Sequence, residues 1–209
     1  MDGALVSAVT ASRVFVVEGY LFELEETVDA IVASITAARA AGALVALTCA
    51  DASVVRAHKE GFMAALGAGV DLLFANAAEA QELTGIEDAC AAASALSDLV
   101  SVAVVTDGSK GACLASACSG VLHVPPHWAS TPPLDTCGAG DSFAAGVLFG
   151  LLNGAQLQMA GTFAALVASA VISRRGARLS EEDAERLAAE FENKLPVQRF
   201  APRGEILVC

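Results

Sequence analysis

A glycine-rich segment, DTCGAGDSF over residues 135–143, carries the clearest chemical signal in the sequence. It joins a proline-rich loop to an apolar stretch with helical spacing, so the amides of Gly138, Ala139, Gly140 and Asp141 are expected at a helix N-terminus. Unpaired N–H groups and the helix dipole favour an anion there, and glycines let the backbone approach it closely. The Asp141 carboxylate could accept the proton of an attacking hydroxyl. The segment therefore predicts phosphoryl transfer, although a bare GxGD is more often only a glycine-rich helix cap.

Two further segments follow apolar runs that predict buried strands, and ligand sites of α/β proteins lie at such strand ends. Asn76 and Glu79 come directly after the run DLLFA, and on a helix their side chains share a face. Taken alone, such a pair is usually a solvated surface pair. The segment TDGSKG over 106–111 follows the run VAVVT and forms a second glycine-rich loop. Lys110 in this loop could pair with a phosphate or simply be solvated, and the residues leave both options open.

The order of the predicted elements indicates the fold class. Strands are predicted over 13–17, 43–48, 71–75 and 102–106, and helices over 25–41, 53–66, 77–84 and 88–99. The strands are apolar along their length rather than alternating, which is typical of parallel strands with helices on both faces. The repeated strand–helix order therefore predicts an α/β fold with a doubly wound, mostly parallel sheet and right-handed crossovers.

The second half of the chain follows a different pattern. Residues 111–124 predict two short strands in a hairpin around Ser119 and Gly120. Helices are predicted over 139–152, 156–174 and 180–193, the last with a capped start at Ser180.

Composition excludes several classes of protein. The chain has 209 residues, 55% of them hydrophobic and 17% charged, which indicates a folded globular domain. A formal net charge of -12 repels nucleic acid and anionic lipid. Neither a signal peptide nor a membrane span is evident, so a cytoplasmic location is expected, with an organellar one left open. The six cysteines match no zinc pattern and are expected to be buried or incidental thiols in a reducing compartment.

The glycine-rich segment reads DTxGAGDxFxxG up to Gly146, and this string resembles the signature of the PfkB carbohydrate kinase family, which includes ribokinases and adenosine kinases. Other landmarks appear in the family's order and extend the resemblance over roughly residues 13 to 178: EGYL at 18–21, NAAE at 76–79, TDGSKG at 106–111, and VIS with GA at 171–177. The resemblance implies a ribokinase-like fold. It also implies transfer of the γ-phosphoryl group of ATP to a hydroxyl of a small sugar or nucleoside, and EGYL favours the adenosine kinase-like members.

The same resemblance implies roles for the glycine-rich segment. Asp141 would be the catalytic base, and Gly138, Ala139 and Gly140 would form the anion hole. Asp135 would position the loop. Some relatives hold a monovalent cation in this region through backbone oxygens, and that option stays open here.

The two other segments would serve the metal and the nucleotide. Asn76 and Glu79 would organise Mg²⁺ and phosphate through water, since Mg²⁺ keeps much of its hydration shell. Thr106 and Gly108 would line the ATP phosphates or ribose, with Lys110 and Gly111 on the same loop. The expected partners are ATP and a small acceptor, without nucleic acid or membrane, and a homo-oligomer stays open.

Part of the family pattern has no match in this sequence. The family's N-terminal strands, its lid and its Gly-Gly-Asn substrate motif are not found, so we expect an incomplete ribokinase-like domain over 1–193 and a C-terminal tail over 194–209. One hypothesis is a kinase whose sequence here is incomplete or whose missing part is supplied elsewhere. The other is a truncated, non-catalytic nucleotide-binding or interaction protein. A Rossmann dehydrogenase is disfavoured because no GxGxxG follows the early strands.

Overall fold

The computed structural model describes residues 3–128 and 132–195. Their strands form one six-stranded sheet in the order β1 (Val14–Val17), β2 (Leu44–Thr48), β3 (Leu72–Asn76), β4 (Val102–Thr106), β5 (Ala112–Ser116) and β6 (Gly120–Val124). The first four strands pair in parallel, whereas β5 and β6 are antiparallel additions. This confirms the mostly parallel sheet and the predicted hairpin.

The helices of the described residues are α1 (Gly3–Ala11), α2 (Val28–Ala40), α3 (Ala52–Ala57), α4 (Lys59–Gly67), α5 (Ala77–Thr84), α6 (Ala89–Leu96), α7 (Ala139–Leu152), α8 (Leu157–Ile172) and α9 (Glu181–Glu192). Short 3₁₀ helices lie at Gly19–Glu23, Glu25–Thr27 and Gly108–Lys110. Helix α1 was not predicted from the sequence. The helix predicted over 53–66 is two helices, because the backbone leaves helical geometry at His58 with φ -122° and ψ 28°.

Four helices begin at a side chain that accepts a free N–H of the first turn. These capping residues are Asp51, Asn76, Asp88 and Ser180, which start α3, α5, α6 and α9. The first amides of a helix have no partner within the helix, and the side-chain oxygen of each capping residue accepts a hydrogen bond from one of them. The predicted capped start at Ser180 is confirmed.

Side chains of the strands point alternately into two separate cores. Leu73 and Val105 face one core with helices α2 to α6, while Phe74 and Val104 face the other with α7 to α9. Burial on both faces explains why these strands are apolar along their length.

Helices α7 and α8 pack at close range through glycine. A Cβ on Gly146 would lie 2.6 Å from the Cα of Ala164, and one on Gly150 would lie 2.7 Å from the Cβ of Ala160. The absence of these side chains lets the two backbones approach. The contact fixes α7, and with it the glycine-rich segment at its N-terminus, against the sheet.

One pair of cysteines departs from the sequence expectation. Cys90 of α6 and Cys113 of β5 form a disulfide with their Cα atoms 5.0 Å apart. The expectation of incidental thiols is therefore wrong for this pair, because the hairpin places β5 beneath α6. Cys49 is a free buried thiol whose pKa is raised by burial, and Cys137 is free and exposed.

Two further observations concern the chain's organisation. Within the described residues, no helix combines the length and apolar character that crossing a bilayer requires. The tail predicted from residue 194 lies outside the described residues except at its first two positions.

Candidate active site

The N-terminus of α7 presents two backbone donors without acceptors. Gly138 precedes the helix with φ +75°, and a Cβ there would lie 2.6 Å from the carbonyl oxygen of Ala177, so this position requires glycine. The amide of Ala139 donates to the carbonyl of Thr136 at 3.2 Å. Among the described residues, the amides of Gly140 and Asp141 have no acceptor. Unpaired N–H groups at a helix N-terminus favour an anion. The Ala139 amide is already paired, so it is not one of these donors.

Asp135 holds the loop before α7 to the turn after α8. Its Oδ1 accepts a hydrogen bond from the Cys137 amide and its Oδ2 one from the Gly176 amide, both at 3.0 Å. These two bonds lower the pKa of the Asp135 carboxyl, because they favour its ionised form. The predicted positioning role of Asp135 is confirmed.

Asn76 and Glu79 form a reciprocal cap at the start of α5. The Glu79 amide donates to Asn76 Oδ1 at 2.9 Å, and Glu79 accepts from the Asn76 amide at 2.8 Å and from its Nδ2 at 2.6 Å. Glu79 is buried, with 5% of its surface exposed. Burial raises the pKa of its carboxyl, and the nearby Asp51 and Glu18 carboxylates add to the rise.

A small acidic cavity of about 240 Å³ brings these groups together at the carboxyl ends of the strands. The carboxylates of Glu18, Glu79 and Asp141 line it, with Asn76 and Gly140, and no lysine or arginine of the described residues does. Glu18 was not among the predicted site residues. The signal that could have found it is its place directly after β1, at the same edge of the sheet.

A larger cavity of about 650 Å³ adjoins the first. The predicted nucleotide residues Thr106, Gly108 and Gly111 line it. Ile172, in the VIS segment of the family resemblance, also lines it. Several other lining residues were missed from the sequence because they come together only through tertiary packing: Pro126, His127, Trp128, Ala165, Ala168 and Ser169. The two cavities meet at shared lining residues, chiefly Thr106, Ala139 and Gly140.

Lys110 lines neither of these cavities. Its Nζ pairs with Asp107 at 2.9 Å, with 78% of the lysine side chain exposed. The structure therefore brings Thr106, Gly108 and Gly111 together at the larger cavity and leaves Lys110 outside it.

The chain was compared with families and proteins of known type. The family model for pfkB family carbohydrate kinases matches residues 1–184. The chain belongs to this family. No curated protein sequence matches it. Its mostly parallel sheet flanked by helices is the fold that the sequence predicted.

Three solved structures illustrate the likeness. Adenosine kinase from Sinorhizobium meliloti is 32% identical with a TM-score of 0.79, and the match covers 88% of this chain and 56% of that one. A probable sugar kinase from Rhizobium etli CFN 42 is 28% identical with a TM-score of 0.79, covering 89% and 56%. Arabidopsis thaliana ribokinase complexed with ribose and ATP, at 22% identity and a TM-score of 0.72, covers 90% and 59% and supports the fold alone. The chain thus spans a little over half the length of these relatives.

The donor set fits the Mg²⁺ that the family resemblance implies only indirectly. Within residues 3–128 and 132–195, no group of three His, Cys, Asp or Glu side chains is close enough to hold a metal ion. Both Glu79 oxygens already accept hydrogen bonds from Asn76. A hydrated Mg²⁺, which keeps most of its water ligands, is compatible with this arrangement.

Proposed function

We propose that this pfkB kinase transfers the γ-phosphoryl group of ATP to a hydroxyl of a small sugar or nucleoside in the cytoplasm, with adenosine-like acceptors favoured. One observation carries the proposal: the free amide of Gly140 lies where the larger cavity meets the acidic cavity that contains Asp141. An anion at this junction would have the nucleotide on one side and a carboxylate base on the other. The 32% identity to an adenosine kinase supports the acceptor class.

The residues divide the work of the reaction. The amides of Gly140 and Asp141 bind oxygens of the transferred group, whose negative charge is spread over them in the transition state. The acceptor oxygen forms a bond to the γ-phosphorus while the bond from that phosphorus to the bridging oxygen of ADP breaks. The acceptor's proton passes to the Asp141 carboxylate. Mg²⁺, when bound, neutralises charge on the phosphates, and Asn76 and Glu79 would orient its water ligands.

A single added methyl group tests the anion site. Gly140 is exposed and a Cβ there would meet no protein atom within 4 Å, so Gly140→Ala should fold normally while occupying space at the junction. We expect Mg-ATP affinity to fall by about 10- to 100-fold, because hydrogen bonds to charged groups contribute about 1.5–3 kcal/mol. Calorimetric titration measures the change. Gly67→Ala in α4, which also has open space, is the matched control and should bind as the parent chain does. Equal affinity for all three proteins would refute the anion site.

A second candidate is a non-catalytic nucleotide-binding protein of the same family. In its favour, no strand of the described residues pairs with the outer side of β1, next to which Glu18 lines the acidic cavity. We expect the chain as it stands to bind Mg-ATP weakly and to phosphorylate acceptors poorly. Binding without turnover on adenosine, ribose or fructose would support this candidate, and robust turnover would exclude it.

A further inference from the structure

Trp128 occupies an unusual position for a tryptophan. It lies in the loop after β6, four residues beyond the end of the strand, and lines the larger cavity, yet 75% of its surface is exposed and it belongs to neither core. Tryptophan is usually well buried, because its ring is the largest apolar side chain. An indole presented openly at the wall of a cavity is available to contact a ligand.

The rest of that cavity is apolar and free of charge. Phe143 of α7 and three residues of α8, namely Ala165, Ala168 and Ile172, provide apolar walls. No Asp, Glu, Lys or Arg is among its lining residues in the described part of the chain. Such walls suit the flat, largely apolar face of a nucleobase better than a phosphate or a sugar.

Few groups are available to read the edge of a base. Among the described lining residues, the polar side chains are those of Thr106, Ser109, His127, Thr136 and Ser169. Nδ1 of His127 lies 3.4 Å from Oγ of Ser169. Ser169 is buried, with 5% of its surface exposed. The cavity therefore offers much apolar area and little hydrogen-bonding pattern, which favours recognition of a base by its face.

We propose that Trp128 is the platform on which the base of the nucleotide stacks, and that the site consequently selects purine over pyrimidine triphosphates without strongly distinguishing ATP from GTP. The inference rests on the proposed function, since it places a nucleoside triphosphate in the larger cavity. Stacking grows with the overlapping ring area, and a purine has two fused rings where a pyrimidine has one. Discrimination between adenine and guanine would need edge-reading groups that this cavity offers sparsely.

The protein supplies its own reporter, because Trp128 is the only tryptophan in the sequence. Its fluorescence is followed while Mg-ATP, Mg-GTP, Mg-CTP or inorganic tripolyphosphate is added to the intact chain. We expect ATP and GTP to change the emission at similar concentrations, CTP to require more, and tripolyphosphate to leave the emission almost unchanged. Competition by tripolyphosphate against ATP then shows that both occupy one site.

Variants separate the ring from its position. Trp128→Ala should weaken ATP and GTP binding by about 10-fold in calorimetry, within the range of base–aromatic stacking, and leave tripolyphosphate affinity unchanged. Trp128→Phe keeps an aromatic face and should recover most of the loss. Leu99→Ala is the matched control, since Leu99 is 47% exposed, precedes β4 and lies at the opposite end of the strands from both cavities. Thermal melts of all three variants should match that of the parent, because each changed side chain is largely exposed.

Different failures have different meanings. If neither ATP nor tripolyphosphate binds the folded chain, the proposed function fails and this inference falls with it. If both bind but Trp128→Ala loses no ATP affinity, or the emission does not respond to a bound purine, the stacking role is overturned and the proposed function stands. A strong preference for ATP over GTP would overturn the selection by stacking.

Discussion

Strand β4 lies inside the sheet, and its side chains are buried on both faces. Strand β1 lies at an edge of the sheet, and no strand among the described residues pairs with its outer side. Val104 of β4 is 1% exposed, but Val16 of β1 is 48% exposed. Large apolar side chains just after β1 are also open, with Tyr20 at 52% and Leu24 at 57%. Exposed apolar side chains beside an unpaired strand edge are typical of a surface that binds another polypeptide segment.

The difference between β1 and β4 matters because the two cavities depend on different parts of the sheet. The larger cavity draws its walls from α7, α8, the end of β4 and the loop after β6. The acidic cavity also depends on Glu18, which directly follows the open strand β1. We therefore expect this chain to retain weak Mg-ATP binding, and acceptor phosphorylation to be the more fragile property.

The largest expected effect comes from Asp141, which belongs to the acidic cavity alone. Asp141→Asn should lower kcat on the best acceptor by about 10²–10⁴-fold, the usual contribution of a general base. Mg-ATP affinity should hold, because the amides of Gly140 and Asp141 remain and asparagine is nearly isosteric with aspartate. Steady-state kinetics with adenosine, ribose and fructose beside an ATP titration measures both. A near-normal kcat in the variant would show that Asp141 is not the base.

The disulfide between Cys90 and Cys113 joins α6 to β5 and should stabilise this part of the fold. Replacing both with alanine should lower the free energy of unfolding by about 3 kcal/mol, from the chain entropy of opening a loop of this length; the two cysteines are 23 residues apart. Urea unfolding under non-reducing conditions measures the loss. Cys137→Ala, at a free and exposed cysteine, is the control and should cost little. If the double variant had the same free energy of unfolding as the parent, the disulfide would not contribute to stability.

A valine-to-alanine substitution made once in β4 and once in β1 tests the comparison directly. Val104→Ala should cost about 2 kcal/mol, because it removes two buried methyl groups and leaves a cavity. Val16→Ala should cost less than about 1 kcal/mol, because its side chain is already half in water. Thermal or urea unfolding of the two variants gives the difference. Equal costs would mean that β1 is covered in solution, for example by a second copy of the chain.

The smallest expected effect concerns Glu79, which is buried and lines the acidic cavity. Its pKa is raised in the folded protein, so the folded state binds this proton more tightly than the unfolded state does. The ionised group therefore destabilises the fold, and this penalty appears as the pH rises through the ordinary carboxyl range towards the raised pKa. Glu79→Gln does not titrate and still accepts from the Asn76 amide, so its stability relative to the parent should increase from pH 4 to neutral pH.

Chemical unfolding at several pH values follows this difference. A stability difference that does not vary with pH would contradict the raised pKa. If Glu79→Gln were less stable than the parent at every pH but still gained with rising pH, the second hydrogen bond from Asn76 Nδ2 would be responsible for the constant loss.

Several elements could be predicted to the residue because their determinants are local. The bounds 77–84, 102–106 and 139–152 agree with α5, β4 and α7. Each has an unambiguous signal, such as a capping asparagine, a short β-branched run or a glycine-rich start. Helix α1 and the break at His58 were missed, because alanine-rich sequence carries little contrast between a helix, its end and a connecting turn.

The site divides in the same way between local and distant determinants. The sequence by itself determined the anion-binding segment, the Asn76–Glu79 cap and the carboxylate Asp141, because each depends on residues within a few positions of one another. Tertiary structure alone decided that Glu18 shares a cavity with Asp141, that Trp128 faces the residues of α8 and that Cys90 meets Cys113. These meetings depend on the packing of elements that lie far apart in the chain, and close approaches such as that of α7 and α8 at Gly146 and Gly150 are not evident from local sequence.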